Sequence, residues 1–118
     1  MLCSSLGYGL QEKVYSSSMA LELRDLGLTV AQEQCIVVYY RGQVVGEYFT
    51  DLVVNNVVIV ELKAVKLLLE EHEVQLLNYL KATPYEVGLL LNFGPKPKVK
   101  RKAFDNDRKG TLSWLTRP

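Results

Sequence analysis

The chain has 118 residues, 48% of them hydrophobic, with 14 Lys+Arg against 13 Asp+Glu. One compact domain with a real hydrophobic core fits that length, and a net charge of +1 gives no hint of a polyanionic partner. The apolar runs are too short to span a bilayer, the N-terminus MLCSSLGYG lacks the regions of a signal peptide, and Cys3 and Cys35 make no disulfide framework, so a reducing cytoplasm without membrane attachment is expected.

The first element is a helix over residues 10–26, where Leu10, Val14 and Leu21 recur on one side and Leu23 and Leu26 continue it. Gly27 follows as a C′ glycine. Residues 28–40 turn to β-type chemistry, Arg41-Gly42-Gln43 marks a hairpin turn, and a second strand runs over residues 44–54. Asn55-Asn56 is the next turn, before the strand Val57-Val-Ile-Val-Glu-Leu-Lys63. A second helix is expected over residues 69–81, with Glu70, Glu71 and Glu73 near its N-terminus and Thr83-Pro84 as its stop. The run VGLLLNFG (residues 87–94) has the pattern of a strand buried on both faces. KPKVKRKAF supplies a last strand, and the polar tail from about residue 105 is expected to be loose as far as Trp114. The order αβββαβ plus a final strand predicts one α/β domain over residues 1–118, with a mixed sheet flanked by helices.

Chemistry concentrates on the third strand. Side chains alternate, so Glu61 and Lys63 share a face, and an unpartnered charge on so apolar a strand is costly. A two-residue Asn55-Asn56 loop pairs Asp51 with Val60; a three-residue loop or a bulge pairs it with Glu61 instead, and the latter is expected. Two carboxylates with the Leu62 carbonyl suit a hard divalent cation such as Mg²⁺, with Mn²⁺ as the alternative. Lys63 can then hold a water or stabilise charge on a phosphate. A structural Asp51–Lys63–Glu61 ion-pair cluster fits the same spacing.

On the second helix, His72, Gln75 and Tyr79 share a face, and Gln75 and Tyr79 could orient a phosphate or a metal-bound water. His72 alone is better explained as a surface residue near the helix start. Glu12, Tyr15 and Met19 form a stripe on the first helix, through which Glu12 could reach the same site. Lys96, Lys98, Lys100 and Lys102, with Arg101 among them, form a basic ribbon suited to a phosphate backbone; lysines on an edge strand also guard against aggregation. Tyr39, Tyr40 and Trp114 are weaker candidates for base stacking. There is no P-loop, no dinucleotide fingerprint and no nucleophile elbow, and the single histidine excludes a histidine-based zinc cluster.

Asp51 followed by Glu61-Leu62-Lys63 resembles the D…ExK core of the PD-(D/E)XK nuclease superfamily, and Gln75-Leu-Leu-Asn-Tyr79 resembles the QxxxY motif of its RecB-like and Cas4-like branches. Gly9-Leu-Gln-Glu12-Lys-Val-Tyr15 is similar to the signature of the small GxxExxY family within that superfamily. VGEYFTDLVV, VIVELKAV, HEVQLLNYLKAT and VGLLLNFG follow in the family's order, so the likeness covers residues 6–104. Where family members carry a histidine three residues before the Leu-Gly of the signature, this chain has Cys3. The resemblance implies a restriction-endonuclease-like αβββαβ fold and an active-site set of Glu12, Asp51, Glu61, Lys63 and Gln75, supported by Tyr79.

The expected function is therefore Mg²⁺-dependent hydrolysis of DNA or RNA phosphodiesters with low sequence specificity. The metal is expected on Asp51 and Glu61 with the Leu62 carbonyl and Glu12. So small a domain leaves little surface for reading bases, which suggests a homodimer or a protein partner. The alternatives are a non-catalytic nucleic-acid-binding or assembly module and a structural protein with an ion-pair network.

Overall fold

The computed structural model describes residues 10–109, apart from the side chains of Leu10 and of residues 38–40. Helix α1 (Leu10–Asp25) precedes strands β1 (Val30–Tyr40), β2 (Gln43–Val54) and β3 (Val58–Lys63). Helix α2 (Glu70–Lys81), strands β4 (Val87–Asn92) and β5 (Lys98–Ala103) and a 3₁₀ turn, Asn106–Lys109, complete the order. The strands form one five-stranded sheet in the order β1-β2-β3-β4-β5. Only β3 and β4 run parallel, joined by α2, so the sheet is mixed.

Helix α1 ends in a Schellman arrangement: Leu28 N–H donates to Leu23 O and Gly27 N–H to Arg24 O, with Gly27 at φ 88°. Its buried face differs from the expected one. Val14, Leu21 and Leu26 are exposed, whereas Ser16 and Ala20 are fully buried and flanked by Tyr15, Met19 and Leu23. The small side chains let the helix approach the sheet closely, and Gln32 Nε2 reaches the hydroxyls of Ser16 and Ser17 across it.

The β1–β2 turn is tight, because Arg41 and Gly42 both have positive φ and Tyr40 pairs with Gln43. The next loop has three residues, Asn55-Asn56-Val57, with both asparagines at positive φ. Val54 therefore pairs with Val58 and Leu52 with Val60, a register that brings Asp51 level with Glu61.

Alternation along β3 then sorts the core into two layers. Val60 and Leu62 pack with Leu52, Leu91 and Ala20 under α1, while Ile59 packs with Leu76, Leu80 and Leu90 under α2. Helix α2 lies so close to β4 that a Cβ on Gly88 stands 2.7 Å from Leu76 Cδ1. Leu76 is itself 1% exposed, so Gly88→Ala is expected to cost about 1–3 kcal/mol in urea denaturation, the usual cost of overpacking.

Two further expectations are corrected. Residues 106–109 are not loose: buried Lys109 Nζ donates to Thr83 O (2.8 Å), Tyr85 O (2.7 Å) and Asn106 Oδ1 (2.6 Å), closing the C-terminal end of α2. Trp114 and the rest of the tail lie outside the described residues. Cys35 on β1 is disulfide-bonded, against the expectation that the cysteines carry no disulfide. Among the described residues no helix is long and apolar enough to cross a membrane.

Candidate active site

Pairing between β2 and β3 extends only to Leu52 and Val60, and there the strands part. Asp51 fills the gap with its side chain: Leu62 N–H donates to Asp51 Oδ2 at 2.6 Å. In an extended strand a residue's N–H and C=O point to the same side, so the Leu62 carbonyl faces the same opening. Phe93 N–H donates to Lys63 O (2.8 Å) and carries β3 on along β4.

Asp51 is 5% exposed, and its carboxyl hydrogen-bonds that of Glu61. Burial is the largest influence on both, and it pushes both carboxyls above the ordinary carboxylate range, Glu61 well above. Asp51 raises Glu61 further, while the Lys63 ammonium opposes the shift in each. Glu61 Oε1 is buried without a hydrogen-bond partner. A buried carboxylate oxygen left in this state is uncommon in a native fold and fits a cation ligand.

The roof of the pair is aromatic. Tyr79 of α2 stacks on Tyr48 of β2, with ring centroids 4.0 Å apart and 11° between planes. Burial, then Glu61 and Asp51, push the Tyr79 hydroxyl up to about 12 despite its hydrogen bond to Gln75. The Tyr48 hydroxyl is raised by burial and by Tyr79 and Glu61. Both tyrosines therefore stay neutral beside the carboxyls. Beside them a polar cleft of about 480 Å³ opens to solvent, lined by Lys63, Glu71, His72, Val74, Gln75 and Asn78.

Glu12 reaches this end of β3 from the opposite helix: its Oε2 accepts from Ala64 N–H at 3.0 Å, and its charge raises the Asp51 carboxyl. Among the described residues no three His, Cys, Asp or Glu side chains cluster as a metal site. What stands there is two carboxyls and a backbone carbonyl, with Glu12 nearby. Water and substrate oxygens commonly complete such a set around Mg²⁺. His72 has a structural task, its Nδ1 accepting from Leu69 N–H (3.0 Å) at the start of α2.

The structure thus gathers Asp51, Glu61, Lys63, Gln75, Tyr79, Glu12 and the Leu62 carbonyl at one end of β3. The basic ribbon is only partly assembled. The cross-strand partner of Lys100 is Leu90, so Lys98, Lys100 and Lys102 share the α2 side of β5. Lys102 Nζ lies 2.9 Å from the Glu73 carboxylate and holds it below its ordinary range. Arg101, paired with Leu89, projects from the other face, and Lys96 precedes the strand. Alternation separates Arg101 from the three lysines, and the 94–97 loop separates Lys96. Tyr39 and Tyr40 side chains lie outside the described residues.

Two residues escaped the sequence reading. Tyr48 had no motif to mark it, because its stacking partner is 31 positions away. Asn92 is 3% exposed: its Oδ1 accepts from Val65 N–H (3.0 Å) and Gly94 N–H (3.2 Å), and its Nδ2 donates to Val65 O (2.9 Å). It clasps the chain just after Lys63. The available signal was a lone amide closing a run of apolar residues, a buried polar group that demands partners.

The model of the PD-(D/E)XK nuclease superfamily matches residues 2–103. The chain belongs to that superfamily. The crystal structure of SSO0001 superposes with a TM-score of 0.61 at 18% identity, covering 87% of this chain and 55% of that one. That likeness supports the restriction-endonuclease-like fold, and this PD-(D/E)XK chain spans about half the length of that protein. No curated protein matches its sequence.

Proposed function

We propose that this PD-(D/E)XK domain hydrolyses nucleic-acid phosphodiesters with a divalent cation, Mg²⁺ or Mn²⁺, held by Asp51, Glu61 and the Leu62 carbonyl. The observation that carries the reading is the buried Asp51–Glu61 pair with its orphaned Glu61 Oε1, beside Lys63 at the wall of a cleft open to solvent. When bound, the cation supplies Lewis-acid polarisation of the phosphoryl oxygen and a water more easily deprotonated.

The chain's own residues do the rest. Asp51 and Glu61 act as oxygen donors from a rigid strand edge, and the Leu62 N–H fixes the Asp51 carboxylate. Lys63 holds the attacking water or balances the charge that grows on the phosphate. Gln75 orients polar groups at the cleft and binds the Tyr79 hydroxyl, while the Tyr48–Tyr79 stack keeps bulk water from the carboxyls. Glu12 braces the chain at Ala64 and adds negative charge toward the cation. Lys98, Lys100 and Lys102 contact backbone phosphates across α2 from the cleft, a contact without sequence information. The Gly9–Tyr15 signature supports membership of the GxxExxY family.

The test is incubation of labelled single- and double-stranded DNA and RNA with Mg²⁺, Mn²⁺ or chelator, with Lys63→Ala as the matched control. Cleavage that needs the metal and falls by about 10²–10³-fold in the variant is the expected result, on the scale of losing one charge-stabilising group. Folded protein that neither cleaves nor binds either metal overturns the proposal and leaves a binding or assembly module.

A further inference from the structure

Helix α2 opens with a reciprocal pair of hydrogen bonds. His72 N–H donates to Leu69 O, and Leu69 N–H donates to His72 Nδ1, each at 3.0 Å. A backbone N–H only donates, so Nδ1 is the acceptor and carries no proton. The proton of the neutral imidazole is then on Nε2. Glutamate or glutamine usually closes a helix start in this way, so the cap by itself does not call for a histidine. What the imidazole adds is a second nitrogen, a donor whose orientation the cap fixes.

The His72 ring lines the polar cleft of about 480 Å³, together with Lys63, Gln75 and Asn78. Gln75 follows three positions later and shares its face of α2. Lys63 brings an ammonium, Gln75 and Asn78 bring amides, and His72 brings Nε2–H. Glu71, the carboxylate among the described lining residues, is exposed, where solvent screens it. A lining rich in donors matches a phosphodiester, whose oxygens only accept and carry negative charge.

We propose that His72 is a substrate-binding residue, its Nε2–H donating to a phosphate oxygen of the bound strand beside Lys63; the role rests on the reading of this site as one for nucleic acid. The contact touches no base and serves DNA and RNA alike.

His72 is the chain's single histidine, so its ring nitrogens are unambiguous in nitrogen-15 NMR of the tag-free protein. The free protein is expected to show the Nε2–H tautomer. Titration with a thymidine decanucleotide, in chelator and again with Mg²⁺, should shift the Nε2 resonance and leave Nδ1 on its cap. His72→Glu keeps an acceptor for Leu69 N–H and removes the donor; His72→Gln keeps an acceptor and supplies an amide. Both should match the wild type in urea denaturation. Affinity for the decanucleotide should fall about tenfold in His72→Glu and less in His72→Gln, the scale of one hydrogen bond to a charged group. In cleavage the loss should appear in KM, with kcat little changed.

An Nδ1–H tautomer in the free protein overturns the proposal. So does an unmoved ring at strand concentrations that shift Lys63 and Gln75, a result that leaves the nuclease reading standing. Equal affinity in wild type and His72→Glu reduces His72 to its cap. A strand that shifts no resonance under either condition overturns the proposal and the nucleic-acid reading together.

Discussion

Glu61→Gln is expected to abolish metal-dependent cleavage, by about 10³-fold or more, while making the metal-free protein more stable at neutral and alkaline pH. The loss follows from removing one of two charged oxygen donors to a cation whose Lewis acidity supplies several kcal/mol of transition-state stabilisation. The gain follows from burial. Without metal, the folded protein must keep two carboxyls together in a poorly solvated gap, and both are shifted upward by that burial. The folded state therefore holds a proton at pH values where the unfolded chain has released it. Its contribution to stability is fully present below the ordinary carboxylate range and is lost as pH rises through the raised values. Thermal unfolding of the metal-free wild type should accordingly show a melting temperature that falls with rising pH above that range. Added Mg²⁺ should reverse the fall by binding the folded state. In Glu61→Gln the amide can still hydrogen-bond Asp51, the like charge is gone, and the slope should flatten. A wild-type melting temperature that climbs with pH through this window would refute the electrostatic account.

The second large effect lies outside the carboxylate pair. Asn92→Leu is expected to destabilise the fold by about 3 kcal/mol or more in urea denaturation, because each backbone group left buried without a partner costs about 1–3 kcal/mol. The amide satisfies Val65 N–H, Val65 O and Gly94 N–H together, and no apolar side chain of similar size can replace it. Gly94→Ala should break the same clasp from the other side, since a Cβ there overlaps the Val65 carbonyl. Because Val65 stands two residues beyond Lys63, cleavage should fall in both variants at temperatures where they remain folded. Unchanged stability in both would mean that the chain after β3 is held in some other way.

The two effects separate what this site asks of the fold. Burial makes the Asp51–Glu61 pair uncomfortable without a cation, and the sheet tolerates it because the pair stands where β2 and β3 part. The surrounding clasp, cap and aromatic stack hold the backbone against that discomfort. Asp51 contributes to both, as a proposed oxygen donor to the cation and as the partner of Leu62 N–H. The α2 helix contributes a roof through Tyr79 and a cleft wall through Gln75.

Much of this arrangement was determined by sequence alone. Strand alternation placed Ile59, Glu61 and Lys63 on one face whatever they packed against. The βαβ pattern dictated a parallel β3–β4 pair with α2 across it. Spacing limited the hairpin loop to alternatives, and the preference for Asp51 opposite Glu61 selected the three-residue loop that is present. These are local properties, set by the period of a strand or helix and by the residues that turn a chain.

Only the tertiary structure decided the rest. Helix α1 could show its sheet-facing side only after packing, because close approach favoured Ser16 and Ala20 over the larger Val14 and Leu21. That Lys96 stands outside the strand that carries Lys98, Lys100 and Lys102 depended on where β5 began. Tyr48 beneath Tyr79, Asn92 against Val65 and Lys109 under Thr83 are contacts between distant segments, and composition carries no distance. Above all, the upward shift of Asp51 and Glu61 arises from burial, which belongs to the folded solvent boundary and to no single residue in the chain.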